Sequence, residues 1–530
     1  MNFNSHTFIT PRLRIAISKS TLFLFILIIL TVFLRIFLLH SLPPGLWYDE
    51  AINGLDSLNI YQGKAYPLFF TSYDHPREPL FLYFIALLYP IFGVSGFTLR
   101  LAAAIVGSIT VIVFYYFIRY LFDNRVAIIA SFLLATSKWH LIFSRLSFRT
   151  ILTPLFIILV CYFLFKAFNE RKRIWYILTG ICLGIGMYTY LAFRLVPILV
   201  LMIISYQWLI EKKIRNSPPQ SEISPKAEKT EIRNNIIIIF LVWLLVFLPL
   251  IIDYIYHPFH LMGRTDEVTV FQNGLSSGIT NIASNALKVG MMFSIPGKGD
   301  PEPKHNLSGE PELPLLLSIF LIIGIIITCK KIRDTRYFLF LVWFILLLLP
   351  SVFSMGAPNT LRTTGALPAL YALIAIGFEW LYSVGLIKLK SNRHIWLNLV
   401  AILCLIYSGT VGIYQYYRWT TSPRTWQVFN AAEVELGKQI ADWSWKTKLP
   451  IYLPKVVAEH PTVIFSSYPY DYYHYENNDA GEILSPLSNT VYIIIDPKVI
   501  RYLESEFPDG SVIREFRLNT GNIWAVAYKT

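Results

Sequence analysis

Charge is scarce in this sequence. Only 15% of its 530 residues are Asp, Glu, Lys or Arg, and 55% are hydrophobic; soluble domains carry roughly 25% charged residues. That balance excludes an ordinary water-soluble domain. Cysteine is scarcer still. Cys161, Cys182, Cys329 and Cys404 all lie inside apolar runs, which excludes a disulfide framework and reads as small core side chains. Acidic residues are outnumbered, 33 against 46 basic, for a net charge of +13. The basic residues cluster in short loops between apolar runs, the pattern that orients helices in a bilayer, so no nucleic-acid partner is expected.

What is abundant is long apolar sequence. Runs of about 17–23 residues, enough to cross roughly 30 Å of hydrocarbon, recur near 21–40, 98–120, 126–143, 151–168, 174–190, 194–210, 236–256, 314–331, 337–354, 364–386 and 395–416. About eleven spans are expected. The first run follows Arg12, Arg14 and Lys19 and lacks a small-x-small cleavage site, so it reads as a retained anchor. A further run, 79–92, is short and contains Pro90. If it lies in the interface rather than crossing, every basic loop falls on one side, the cytoplasm by the positive-inside rule. Residues 1–20 are then cytoplasmic and 21–416 form the membrane domain. The stretch 216–229, rich in Pro, Ser, Lys and Glu, predicts a disordered cytoplasmic linker.

Residues 417–530 change character. Gln427–Trp445 reads as a helix, and 462–467, 490–496, 512–518 and 523–528 read as strands between Gly, Pro and Asn turns. The fold class expected is an all-α polytopic membrane protein with a small extracytoplasmic α/β domain.

The loops of the outer side hold the chemistry. The first opens with Trp47-Tyr48-Asp49-Glu50 and continues to Asp74-His75-Pro76-Arg77-Glu78-Pro79. Neighbouring carboxylates at a bilayer edge lose hydration and repel each other, so they are best kept where they bind or activate something. Arg145 and Arg149 stand four apart, on one helical face; Tyr190 with Arg194, and then Arg362, make further patches. Acids and arginines together suit a reaction that deprotonates one partner and expels a phosphate from the other: a carboxylate as general base, arginines on the leaving group. Plainer uses exist. Asp49 and Glu50 can cap a helix, Arg145 and Arg149 can snorkel to headgroups, and His75-Pro76 can be a rigid turn. Trp47 and Tyr48 read as belt aromatics, and Asn306-Leu307-Ser308 is a sequon of a kind common by chance.

The Asp-Glu loop, the His75-Pro76-x-x-Pro79-Leu80 element, Phe97-Thr98-Leu99-Arg100-Leu101, Trp139 through Arg149, and Gly299-Asp300 to His305-Asn306 together resemble the GT-C glycosyltransferases. The likeness is to the bacterial members near the protein O-mannosyltransferases and the aminoarabinose transferase of lipid A, and covers about residues 20–420. It implies a polyprenyl-phosphate sugar donor used on the external face with inversion. Asp49 matches the aspartate that acts as base and Glu50 the acid that supports it, while 79–92 matches a juxtamembrane helix. Asp74, His75, Arg77, Glu78, Arg145, Arg149, Tyr190, Arg194, Asp300, His305 and Arg362 are the expected substrate-binding residues.

The chain departs from the pattern at Thr153, where several relatives carry a second acid before a proline, and at Glu78, where the aminoarabinose transferase is basic. A divalent metal ion stays open, because no spacing of His, Asp and Glu is diagnostic; no other cofactor is expected. The expected function is transfer of a sugar from a polyprenyl-phosphate donor to a lipid, glycan or protein acceptor, and it requires Asp49, Arg149 and Arg194 to face a common outer cavity. The alternatives are a transporter or lipid-linked sugar flippase, and a binding protein built around the tail. A transporter would place buried charge near the bilayer midplane, whereas most charge here lies at helix ends.

Overall fold

The computed structural model describes residues 19–72, 76–215, 225–272, 274–390, 393–518 and 520–530. The membrane portion runs through α1 (Lys19–Ile36), α2 (Tyr48–Tyr61), α3 (Leu80–Phe92), α4 (Gly96–Leu121), α5 (Asn124–Thr136), α6 (Lys138–Phe143), α7 (Leu152–Glu170) and α8 (Arg173–Gly186). It continues through α9 (Val196–Arg215), α10 (Pro225–Tyr256), α11 (Pro258–Val268), α12 (Leu275–Met291), α13 (Leu315–Lys330), α14 (Thr335–Val352), α15 (Leu367–Lys388) and α16 (His394–Thr420).

Among the described residues, seven helical stretches are long and apolar enough to cross a membrane: 96–121, 149–170, 191–210, 234–256, 335–352, 364–388 and 394–420. The other four expected spans fall on the shorter apolar helices α1, α5, α8 and α13. The 126–143 run is not one helix. It breaks at Ser137, whose extended backbone ends α5 and whose hydroxyl accepts the His140 N–H at 3.2 Å to start α6, the ordinary N-cap use of serine. At 13 residues α3 is about 20 Å long, too short to cross hydrocarbon. It buries Phe81, Leu82 and Ile85 and exposes Leu87 and Ile91. Of the expected linker, 216–224 lie outside the described residues, and from Pro225 the chain is already helical in α10.

Helix α4 is buried over most of its length, whereas α10 and α16 present apolar flanks outward, as lipid-facing helices do. Helices α13 and α15 cross at Gly324 and Gly377. A Cβ on either would fall about 2 Å from a carbonyl oxygen of the other helix, 1.9 Å from that of Leu373 and 2.1 Å from that of Phe320. Only glycine allows two backbones so close.

The tail folds as α17 (Pro423–Val428), α18 (Ala431–Thr447), β1 (Ile451–Pro454), α19 (Lys455–Ala458), α20 (Pro461–Ser467), β2 (Tyr473–Tyr475), β3 (Val491–Ile494), α21 (Pro497–Glu506), β4 (Ser511–Arg517) and β5 (Ile523–Lys529). The sheet order is β2-β1-β3-β5-β4, parallel among the first three and antiparallel after. The segment 462–467, expected as a strand, is helix α20. Pro461 sits at its first turn after the His460 cap, and Val463 and Phe465 are buried, so burial on helix contacts overrides β-propensity. The expected helix 427–445 is split at Asn430, which adopts a left-handed conformation.

The tail is docked, not appended. Phe429 and Phe465 belong to the membrane portion's core, the Leu46 N–H donates to the Phe429 carbonyl, and the Phe465 ring lies against Gly54 of α2.

Candidate functional site

Helix α2 organises the site. Trp47 is extended just before it, and Glu50, its third residue, reaches back to accept the Trp47 N–H at 3.1 Å, the carboxylate half of a capping box. Glu50 is fully buried. Its oxygens also take the Arg100 guanidinium at 3.3 and 3.2 Å and the Ser147 N–H at 2.8 Å. Arg100 in turn donates to the carbonyls of Pro43 and Gly45. Glu50 therefore ties together the entry to α2, α4 and the 144–149 turn, with no lone pair facing outward. Asp49, one residue earlier, is half-buried, and its carboxylate has no hydrogen-bond or ion-pair partner among the described residues. It stands in the first turn of α2, where the helix dipole favours a negative charge.

One stripe of α2 leads from Asp49 to the arginines. Asn53, one turn on, donates to the Ser147 carbonyl at 2.8 Å, two residues before Arg149. Asp56, a further turn on, pairs with Arg77 at 2.6 Å, and Ser72 joins both. Burial raises the Asp56 pKa, with Arg77 opposing. Glu78 pairs with Arg149 at 2.9 Å, and the Leu80 N–H meets the Tyr188 carbonyl, so the first loop closes on two of the expected turns. Arg194 donates to the Tyr254 hydroxyl at 3.1 Å and to the Leu261 carbonyl at 2.6 Å; Tyr190 is half-buried just before it. Thr150, beside Arg149, bonds the Leu361 carbonyl and the Thr364 hydroxyl, which brings Arg362 alongside; Arg362 itself donates to the Met355 carbonyl. The first loop is thus joined to the 144–149 turn through Glu78 and to the turn before Tyr190 through Leu80, and Thr150 joins the former turn to 361–364.

Several expected site residues are framework instead. Arg145 is fully buried, donating to the Tyr416 hydroxyl and the carbonyls of Leu34 and Leu42, so it does not snorkel. Arg77 is equally buried on Asp56. Asp300 and His305 are buried and joined at 3.3 Å, and Asp300 also takes the N–H and hydroxyl of Thr360. Burial pushes the Asp300 pKa up, but the hydrogen bonds from His305 and Thr360 outweigh it and hold it low. Asn306 is buried on Asp300, Glu310 and Glu312, so the sequon is a loop brace. Trp47 and Tyr48 are not belt aromatics; they meet Phe429 and His460 of the tail, with Lys304 over the Trp47 ring at 4.5 Å. Asp74 and His75 lie outside the described residues.

Sequence reasoning missed Arg100, Asn53, Asp56, Lys138, Tyr254 and Glu312. Arg100 and Lys138 carried a signal, since charge within an apolar run seldom lacks a buried partner: Lys138 reaches Glu312 at 3.4 Å and Asn306 at 2.7 Å. No three ligating side chains gather at Asp49 among the described residues. A cavity of about 320 Å³ lies elsewhere, lined by Tyr120, Asn169, Gln207, Asp334 and Arg336 at the basic-turn end of the bundle.

These features define a multi-pass helical membrane protein with the GT-C glycosyltransferase fold. The crystal structure of apo ArnT from Cupriavidus metallidurans matches at a TM-score of 0.55 and 12% identity, over 96% of this chain and 97% of that one. The apo oligosaccharyltransferase of Archaeoglobus fulgidus matches at 0.53 and 16%, over 84% and 64%. The family model for dolichyl-phosphate-mannose-protein mannosyltransferases matches residues 74–216. Protein YkcB of Bacillus subtilis, named as a mannosyltransferase, is 25% identical over 181 residues, 32% of this chain. The chain spans only 25% of that relative's length.

Proposed function

We propose that this protein transfers a sugar from a polyprenyl-phosphate donor to a hydroxyl of a lipid, glycan or protein acceptor, with inversion at the sugar carbon. The loop-rich face is external and the N-terminus cytoplasmic. The observation that carries the reading is Asp49. Glu50, Asp56, Glu78, Asp300 and Glu312 are each committed to a cation or to backbone N–H groups, whereas Asp49 has no partner among the described residues. A carboxylate in the first turn of a helix, left without a partner among the described residues, is suited to accept a proton.

In this reading the acceptor hydroxyl loses its proton to Asp49 as its oxygen attacks the anomeric carbon. The bond from that carbon to the phosphate oxygen breaks, and the electron pair leaves with the phosphate. Arg149, Arg194 and Arg362 hold that anion through charge-assisted hydrogen bonds. Glu50 is a positioning residue, fixing the start of α2 against the 144–149 turn. The likeness to the dolichyl-phosphate-mannose-protein mannosyltransferase family over residues 74–216, and to YkcB, supports the sugar-transfer class.

The test is transfer of labelled sugar from a panel of polyprenyl-phosphate sugars by purified protein beside Asp49→Asn. Loss of about 10²-fold or more in the variant is expected for a missing general base. Undiminished transfer by Asp49→Asn would move the base elsewhere. No transfer from any donor, with wild type and variant moving lipid equally across vesicles, would favour a flippase.

A further inference from the structure

We propose that Asp253, His257 and His260 form a divalent transition-metal site of the zinc type at the loop-side end of α10. Asp253 lies in the last turn of α10, His257 one turn later where the helix breaks, and His260 in the first turn of α11. The corner folds both imidazoles onto one carboxylate: Asp253 Oδ1 is 3.3 Å from His257 Nδ1, and Oδ2 is 2.7 Å from His260 Nδ1. One ligand atom from each residue falls within 4.8 Å of the others.

The donor chemistry selects the ion. Two imidazole nitrogens and one carboxylate oxygen suit zinc, whereas calcium and magnesium prefer oxygen sets. With zinc–ligand bonds of about 2.0–2.1 Å, the edge of a coordination tetrahedron is about 3.3 Å. The His257 Nδ1–Asp253 Oδ1 separation already has that length, and with Oδ1 as the single carboxylate donor the His260 ring gives up its contact with Oδ2 to reach the ion. Three protein ligands leave a fourth position, and that side is open, because the His257 side chain is 59% exposed while those of Asp253 and His260 are 15% exposed.

The shell around the cluster is built. The Phe69 ring stacks on His260 at 4.8 Å, from the first loop. Arg194 grips both flanks, through the Tyr254 hydroxyl after Asp253 and the Leu261 carbonyl after His260. A metal ion there locks the α10–α11 corner against the arginine proposed to hold phosphate. It is a positioning site and takes no part in the transfer step, so it stands whether or not the transferase reading does.

The test uses full-length, tag-free protein in detergent, stripped with chelator, reloaded with zinc and desalted before metal analysis. Wild type should retain one zinc per chain, and cobalt(II) should give the d–d absorption of a tetrahedral site. His260→Ala and Asp253→Asn should bind at least about 100-fold more weakly, since a lost ligand costs more than the 10–100-fold of a lost outer partner. His474→Ala, at an exposed tail histidine, should bind as wild type. Zinc should raise the unfolding temperature of wild type but not of His257→Gln, whose largely exposed side chain stacks on His260. Wild type that retains no zinc, or variants that retain it equally, would overturn the assignment: the three residues would then be only a hydrogen-bonded His-Asp-His set.

Discussion

Asp49→Asn and Glu50→Gln, one residue apart, should separate sharply in stability. Glu50 is fully buried and accepts four N–H groups, two of them from Arg100. Glutamine at that position turns one acceptor into a donor that faces other donors. It also strands the Arg100 charge without its counterion. Breaking a buried pair by removing one partner costs about 3–5 kcal/mol. At about 2–4 °C per kcal/mol for larger domains, the unfolding temperature should fall by roughly 6–20 °C. Asp49→Asn loses only the favourable interaction of its charge with the helix N-terminus, about 0.3–1 kcal/mol, so it should unfold within about 4 °C of wild type. The assay is tryptophan fluorescence of detergent-purified protein heated at one fixed scan rate. A double variant, Glu50→Gln with Arg100→Met, should be less unstable than the sum of the singles, because no charge is left alone. The reasoning fails if Glu50→Gln unfolds at the wild-type temperature, or if Asp49→Asn is equally destabilised.

Other predictions test the surroundings. Arg149→Ala should lower kcat/KM for a polyprenyl-phosphate donor by about 10²-fold, whereas Glu78→Gln, which leaves Arg149 in place, should keep donor binding; equal losses would make the pair structural. Burial pushes the Glu312 carboxyl up to about 7, with Lys138 opposing. The folded state thus holds a proton that the unfolded chain releases near pH 4.5. Stability from this group is full below that pH and falls as pH rises to 7, by up to about 3 kcal/mol. Glu312→Gln should flatten that slope in unfolding temperature against pH, and an unchanged slope would refute the assignment. Gly45 has φ +79° and would place a Cβ 2.1 Å from the Phe429 carbonyl oxygen. Gly45→Ala should therefore loosen the tail from the first loop and speed its release by limited proteolysis, at a cost above about 1 kcal/mol; unchanged cleavage would show that the contact does not hold the tail.

The likeness to known transferases was legible because it is carried by short contiguous segments, from the Asp-Glu loop to Phe97–Leu101 and Trp139–Arg149. The roles within those segments were not. Asp49 and Glu50 are chemically alike and adjacent in the chain, yet one is half-open and the other is clamped by Arg100, fifty residues later. Arg145 and Arg149 share a helical spacing, but the first points into the bundle toward Tyr416 and the second toward Glu78. A periodicity argument assigns residues to a face; it does not say which face another segment will cover.

The sequence by itself determined that long apolar helices dominate the chain, that its basic turns and acidic loops segregate, and that a mixed α/β tail follows. These follow from hydropathy and local propensity, which act over a turn or a span. Only the tertiary structure decided that the 126–143 run breaks at Ser137, that 462–467 is a helix laid on α2, and which acids keep a free carboxylate. Those outcomes depend on burial and on partners distant in sequence. A buried charge is stable only with its counterion, and the position of that counterion is a property of the folded chain.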